Sequence, residues 1–337
     1  MARKPPILKL HELQPGQGLA DCFALLIEKN RVTTRDGKIF FSVRFKDSRR
    51  IVSCAIWGDA PLYEDCEQHW HVGTAYKLRC VYSEHEKYGP KIDLNAIREA
   101  KPEDEADGFL LEEYIEKPRT NPIECLAAIR TIVEEQIADE PLKILVLTLL
   151  AKNEDTLLQL PATSKQFYPY AGGWLEHVCH VLENCVWLAD SYKFRFPDLL
   201  FNRDLLLAGA VLHDLGRVPE LVLGAPGQPA ETSVPGRLLG HIALGRDMIR
   251  DAAREIEGLN PELLLLLDHL IQVHLTLPEW GSPRLPMIPE ALVLHHADDL
   301  DAKMEMYARH LTKDASNGPF TERDPVLGKQ LLKSRTV

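Results

Sequence analysis

An imidazole and a carboxylate stand side by side at His213-Asp214, directly after the apolar run from Leu205 to Leu212. Neighbouring residues on a helix point about 100° apart, so the two cannot share one solvent-facing stripe. Burying both leaves a charge to neutralise, and the usual solution is a metal ion or a buried partner. Single histidines and one acid are spread around the pair: His177 before it, then His241, His274 and Asp298 after it. Imidazole with carboxylate makes a mixed nitrogen and oxygen donor set that suits a divalent metal. No thiolate is placed to bias the set toward zinc.

Residues so far apart in sequence must be gathered by separate elements. From Asn121 onward apolar residues recur at three- and four-residue spacing, which predicts helices over Ile123–Ile137, Glu140–Lys152, Trp174–Tyr192, Arg203–His213, Gly236–Glu257, Glu262–His274 and Pro289–Ala308. Proline and glycine cluster between them, in Gly224–Gly236 and Trp280–Pro289. The first hundred residues read differently. Ile39, Phe41, Val43 and Phe45 alternate with Phe40, Ser42, Arg44 and Lys46, the period of a half-buried strand, and Asp36-Gly37 before them is a hairpin-turn signal. Further strands are expected at Gly18–Glu28, Arg50–Trp57, Ala75–Ser83 and Lys91–Ile97. Five short strands fit a small closed barrel, with the OB-fold the common case and an SH3-like barrel its competitor. The fold class is therefore multi-domain α+β, a five-stranded OB-fold β-barrel followed by an all-α domain. The expected organisation is a barrel over 1–100, a polar, acidic linker over 101–120, a helical domain over 121–310 and a C-terminal tail over 311–337.

A length of 337 residues accommodates two cores, and 45% apolar with 26% charged residues is ordinary for a globular protein. No apolar run reaches the roughly 18–20 residues needed to span a bilayer. The start, MARKPPILKLHEL, lacks the apolar stretch of a secretion signal. Seven cysteines without CxxC spacing point to reduced thiols in a cytoplasmic protein. The net charge of −11 is uneven: residues 1–100 hold 16 basic and 13 acidic side chains, the remainder 23 and 37. A mildly basic module joined to an acidic one leaves a nucleic-acid partner open.

The order His177, His213-Asp214, Asp298 resembles the HD-domain phosphohydrolase superfamily. The runs Gly172-Gly173-Trp174-Leu175-Glu176-His177, Leu239-Gly240-His241-Ile242, Glu279-Trp280-Gly281-Ser282-Pro283 and Asp298-Asp299-Leu300-Asp301-Ala302-Lys303-Met304 extend the likeness. With the N-terminal barrel, residues from about 15 to 330 resemble the YhaM-type 3′→5′ exoribonucleases, an OB-fold fused to an HD domain. The resemblance implies a first metal held by His177, His213, Asp214 and Asp298, with His241 and His274 serving a second ion or a phosphate. It implies catalytic roles for Asp214 and Arg217, with Lys303 a weaker candidate, and a divalent cation, Mn or Co ahead of Fe, Ni, Mg or Zn. Such a metal lowers the pKa of a bound water and polarises a phosphoryl oxygen. The implied substrate is single-stranded RNA, with single-stranded DNA as a second candidate, and self-association is open; no membrane is involved.

This sequence departs from that pattern in three places. His274-Leu275-Thr276 stands where the family has His-His-Gly, Phe167-Tyr168 replaces a His-His pair, and Arg217 replaces a lysine. Arginine keeps the charge and adds bidentate phosphate geometry. Mundane alternatives exist for each residue: a buried His–Asp hydrogen bond at 213–214, a helix-start histidine at 177, a solvated acidic face at 298, and packed histidines at 180 and 269. On the barrel, Phe40, Arg44, Lys46 and Trp57 are the candidate RNA contacts, with Arg49, Arg50, Tyr82, Lys87 and Tyr88 as additions. Trp57 could equally close the barrel core. Two other functions compete with exonuclease: hydrolysis of nucleotides or cyclic dinucleotides, and non-catalytic strand binding by a decayed site.

Overall fold

The computed structural model describes residues 5–85, 89–224, 229–314, 316 and 318–333. By internal packing the chain falls into two units. Met1–Glu116, Gly224–Gln228 and Ala308–Val337 form one, and Lys117–Leu223 with Pro229–Tyr307 forms the other.

The first unit contains a closed barrel of β1 (Leu19–Thr33), β2 (Ile39–Lys46), β3 (Ile51–Trp57), β4 (Ala75–His85) and β5 (Gly89–Glu99), in the order β1-β2-β3-β5-β4. A short helix, α1 (Tyr63–His69), joins β3 to β4. β1 is shared by two neighbours: Leu19–Leu25 pairs with β4 and Leu25–Thr33 with β2. Its register shifts between Leu26 and Glu28, a bulge that lets one strand bend around the barrel. The strand therefore outruns its apolar stretch, because pairing with β2 rather than burial keeps residues 29–33 extended. Parallel pairing of β3 with β5 at Ser53 and Lys91 closes the ring, which is OB-fold connectivity rather than the SH3-like alternative. Phe41, Val43 and Phe45 point inward against Val52, Cys54 and Ile56, so Phe40, Ser42, Arg44 and Lys46 take the other face.

The polar stretch after β5 is fastened by its charges. Asp104 is only 5% exposed and accepts two bonds from Arg98, at 2.6 and 2.7 Å, and one from Lys101 N at 2.9 Å. Glu116 pairs with Lys46 at 3.2 Å and with Lys313. Burial works against its charge, yet Lys313 and Lys46 push its carboxyl down to about 2.

The second unit holds α2 (Pro122–Gln136), α3 (Glu140–Leu157), α4 (Gly173–Arg195), α5 (Arg203–Leu212), α6 (Arg217–Glu220), α7 (Val234–Ala253), α8 (Pro261–Val273) and most of α9 (Pro289–Lys313). A two-residue ladder, β6 (Leu221–Val222) with β7 (Glu231–Thr232), leads into α7. Asn121, Asp139, Asn202, Ser233 and Asn260 each cap the helix that follows by accepting a backbone N–H. α5 is the hub. Every residue from Leu205 to Leu212 is buried, and α2, α3, α4 and α8 pack around it. A helix apolar all round belongs in the middle of a bundle, so whatever follows its last turn starts out deep inside the unit.

No described helix is long and apolar enough to cross a membrane. All seven cysteines are buried and free.

The Arg98 bonds hold the Asp104 carboxyl well below its usual range, against the opposing effect of burial. A depressed carboxylate pKa adds stability above the unfolded-state value of about 4, which is lost as the pH falls through the folded value. Asp104→Asn should therefore melt below the wild type at pH 7, with the gap narrowing below about pH 4; a constant gap in thermal unfolding across that range would contradict it.

Candidate metal centre

His213 caps the C-terminus of α5. Its N–H bonds Gly209 O at 2.8 Å, and its side chain is fully buried. Asp214 follows in the turn to α6, where its carbonyl accepts from Trp174 Nε1 at 2.9 Å and so ties the turn to α4. His177 lies in the second turn of α4. The helix starts at Gly172-Gly173 because little else fits: Gly172 has φ +78°, and a Cβ on Gly173 would lie 2.3 Å from Tyr168 O. His274 caps the end of α8, and Asp298 faces inward from α9. α7 is broken by Gly240 (φ 73°, ψ 164°) immediately before His241.

These six side chains meet as two triads, His177 with His213 and Asp298, and Asp214 with His241 and His274. Within each triad one ligand atom per residue lies within 4.8 Å of the others. In the first, Asp298 Oδ1 is 3.2 Å from His177 Nε2 and 3.9 Å from His213 Nε2. In the second, Asp214 Oδ1 is 3.2 Å from His241 Nε2 and 3.8 Å from His274 Nε2. The triads adjoin: the His213 ring lies edge-on to both His177, at 5.5 Å between centroids, and His274, at 5.3 Å. Asp214 is thus drawn toward His241 and His274, while its chain neighbour His213 serves the other triad.

Each histidine has its Nδ1 engaged and its Nε2 directed inward. His213 Nδ1 donates to Ala210 O at 2.9 Å and His274 Nδ1 to Ile271 O at 2.7 Å; a carbonyl can only accept, so these nitrogens carry the proton. His177 Nδ1 donates to Asp301 Oδ2 at 2.7 Å, and His241 Nδ1 lies 3.5 Å from Glu220 Oε1. The Nε2 atoms of His177, His213, His241 and His274, together with Asp214 Oδ1, are buried without a hydrogen-bond partner. Five ligand atoms left orphaned and facing one another are what a divalent cation would satisfy, and no cysteine joins them.

The buried charges also act strongly on one another. Burial opposes the charge on His177, but Asp298 and Asp301 on its two nitrogens push it up to about 10. Burial likewise opposes ionisation of Asp214, yet Arg217, His241, His213 and His274 hold its carboxyl far below the usual range. His274 moves the other way, down to about 4, through burial and its neighbour His213.

The remaining candidates divide. Arg217 sits beside the triads, with Nε 3.4 Å from Asp214 Oδ2 and Nη1 2.6 Å from Glu220 Oε2. Lys303 stays outside, in an ion pair with Asp299 at 2.6 Å. His269 accepts from Met287 N at 3.1 Å and joins neither triad. Tyr168 is buried, its hydroxyl donating to Asp301 Oδ1 at 3.1 Å, while Phe167 lies 5.0 Å from the His177 ring. Thr276 has φ +66°, a left-handed backbone in which glycine is at ease and threonine is strained.

On the barrel, Trp57 is 42% exposed and lies 4.8 Å from Phe40, its register partner across β2 and β3, so it does not close the core. Arg44 pairs with Glu28 at 3.3 Å and Lys46 with Glu116. Arg49 is exposed; Arg50 is engaged by Leu10 O and Leu13 O and stacks on the buried Tyr82. Lys87 and Tyr88 lie outside the described residues.

Two residues to which the sequence pattern assigns no role complete the surroundings: Asp301, within the run from Asp298 to Met304, and Glu220. Both were within reach of spacing: Asp301 is three residues after Asp298 and Glu220 three after Arg217, so each shares a helix face with a residue of interest.

A helical unit that buries an HD pair among histidines from neighbouring helices defines an HD domain, and the HD domain family model matches residues 174–303. The chain is 32% identical over 305 residues to the 3′-5′ exoribonuclease YhaM of Geobacillus sp. (strain WCH70), covering 90% of this chain and 88% of that one. It is 31% identical over 321 residues to the 3′-5′ exoribonuclease YhaM of Bacillus subtilis (strain 168), covering 94% of both. The chain belongs to the YhaM family.

Gly216 explains how the second triad keeps its spacing. A Cβ there would lie 1.9 Å from His241 O and 2.6 Å from Gly245 N, so the HD turn rests directly on the α7 backbone. Gly216→Ala should push α7 outward at a cost of about 1–3 kcal/mol, as overpacked sites do. Thermal unfolding of the variant measures this; an unchanged melting temperature would show that the contact is slack.

Proposed function

We propose that the chain is a divalent-metal-dependent 3′→5′ exoribonuclease that removes nucleotides from single-stranded RNA, with single-stranded DNA as a second substrate. The observation that carries this reading is the set of five buried, partnerless ligand atoms facing one another in two triads. His177, His213 and Asp298 would hold one cation, and Asp214, His241 and His274 another. The donor set of imidazole and carboxylate suits Mn or Co ahead of Fe, Ni, Mg or Zn. Bound there, the cations supply a low-pKa water and Lewis acidity for hydrolysis of a phosphodiester bond.

The chain's own groups do the rest. The Nδ1 contacts fix four imidazoles with Nε2 inward, so the donor set exists before substrate arrives. Arg217, 16% exposed, keeps Asp214 ionised and aimed, and its other N–H groups are available to a phosphoryl oxygen. With both triads complete, Leu275 and Phe167-Tyr168 leave the donor set intact, which favours catalysis over a decayed site. Seven free, buried thiols suit a reducing cytoplasm.

The outer face of β2 and β3 would lead the strand. Stacking contributes roughly 1–3 kcal/mol per base, whereas an exposed ion pair such as Arg44–Glu28 is worth about 1 kcal/mol or less. Arg44 can therefore leave Glu28 for a phosphate at little cost. Lys46, shared with the more enclosed Glu116, is the weaker contact.

Two experiments test the proposal. His213→Ala and Asp214→Ala should abolish release of nucleotides from 5′-labelled RNA in Mn, with unchanged circular dichroism; normal turnover in either would remove the metal centre from the chemistry. Phe40→Ala with Trp57→Ala should weaken binding of a single-stranded RNA at least about fivefold, the lower end of the stacking range, in fluorescence anisotropy. Equal affinity would take this face out of the substrate path.

A further inference from the structure

Each triad contains two histidines, and they are held in different ways. His213 and His274 donate Nδ1 to a backbone carbonyl three residues earlier, an arrangement set by their own helix ends. His177 and His241 instead face carboxylates from other elements, Asp301 on α9 and Glu220 on α6. From this division we infer that Asp301 and Glu220 are a matched pair of positioning carboxylates, one for each triad, which set the affinities of the two cations separately. The inference rests on the two-cation reading above and names which residues control each ion.

Asp301 is fixed from both sides. Oδ2 accepts from His177 Nδ1 at 2.7 Å, and Oδ1 accepts from the Tyr168 hydroxyl at 3.1 Å and lies 3.4 Å from His180 Nδ1. Tyr168 is itself held in a left-handed backbone conformation (φ 42°), with its N–H donating to buried Glu305 at 3.2 Å. A tyrosine kept at an unfavourable φ so that its hydroxyl can reach a carboxylate is a constraint the surroundings must maintain.

Glu220 grips His241 twice. Its Oε1 accepts from His241 N at 3.1 Å and lies 3.5 Å from His241 Nδ1, while Oε2 takes Arg217. The Gly240 break presents that N–H outside the helical hydrogen-bond ladder, which is how one carboxylate reaches both main chain and ring. A carboxylate behind a ligating imidazole fixes the ring and makes the far nitrogen a better donor; losing such a partner typically weakens metal binding 10–100-fold. Neither Asp301 nor Glu220 supplies an atom to its triad, so both act through a histidine.

The test is a double dissociation read by calorimetry, titrating Mn into the metal-free full-length protein. The isosteric variants Asp301→Asn and Glu220→Gln keep the shape of each site and remove its charge. Wild type should bind two ions, and each variant should keep one ion at wild-type affinity while the other weakens about 10-fold or more. The ion that remains reports that the fold is intact. His241→Ala, which dismantles the second triad, should bind one ion, and that ion should weaken further with Asp301→Asn but not with Glu220→Gln. Two wild-type affinities in both single variants, or loss of the same ion in both, would overturn the inference while leaving the metal centre standing. A wild type that binds no Mn would overturn the two-cation reading and this inference with it.

Discussion

Burying a ligand atom without a partner is the constraint on which this molecule turns. An unsatisfied buried polar atom costs about 1–3 kcal/mol, and five of them approach the whole stability of a typical domain, about 5–15 kcal/mol. A cation lying among them would relieve that cost. The nitrogen and oxygen donors are aimed at one another from α4, α5, α7, α8 and α9. The apolar surroundings of α5 raise the stakes, because they leave little polar surface to stand in for the ion.

Holding five elements around so small a centre demands close backbone approach, and glycines supply it. Gly216 rests on the α7 main chain, Gly173 on Tyr168, and Gly209 faces Leu270, whose Cδ2 would lie 2.3 Å from an added Cβ. Each contact fixes the separation of two segments around the triads: the HD turn and α7, the Tyr168 loop and α4, α5 and α8. In the loop after His274, Thr276 adopts a left-handed backbone in which a glycine would be at ease, so the loop carries a strained residue.

Much of this was legible before any coordinates, and the limits have physical causes. The helices of the second unit follow from periodicity and from caps such as Asn121, Ser233 and Asn260, each directly before the helix it starts. The His213-Asp214 pair stands out because it follows an apolar run, whereas Asp298 stands among other acids and only the family resemblance picks it out. The partition of the six triad residues was hidden: Asp214 neighbours His213 in the chain but meets His241 and His274 in space, since adjacent residues at a helix end diverge. α1 and α6 are too short for a periodic signal. Asp301 and Glu220 looked like ordinary surface acids, because sequence does not reveal that a neighbouring ring will cover them. The aromatic pair of Phe40 and Trp57 was half visible; alternation placed Phe40 outside, but only the β2–β3 register brings Trp57 beside it.

The first unit draws on both sides of the second, with residues before 116 and after 308 packed into one body. Glu116 takes Lys46 from the barrel and Lys313 from beyond the helical unit. During translation the strands emerge early, but this clasp cannot close until the ribosome has also delivered the whole HD unit. The barrel's five strands are all present by Glu99 and can pair at once, whereas the clasp on Lys313 has to wait for the roughly two hundred residues between. The clasp is in this way a late addition to a unit whose strands were made first.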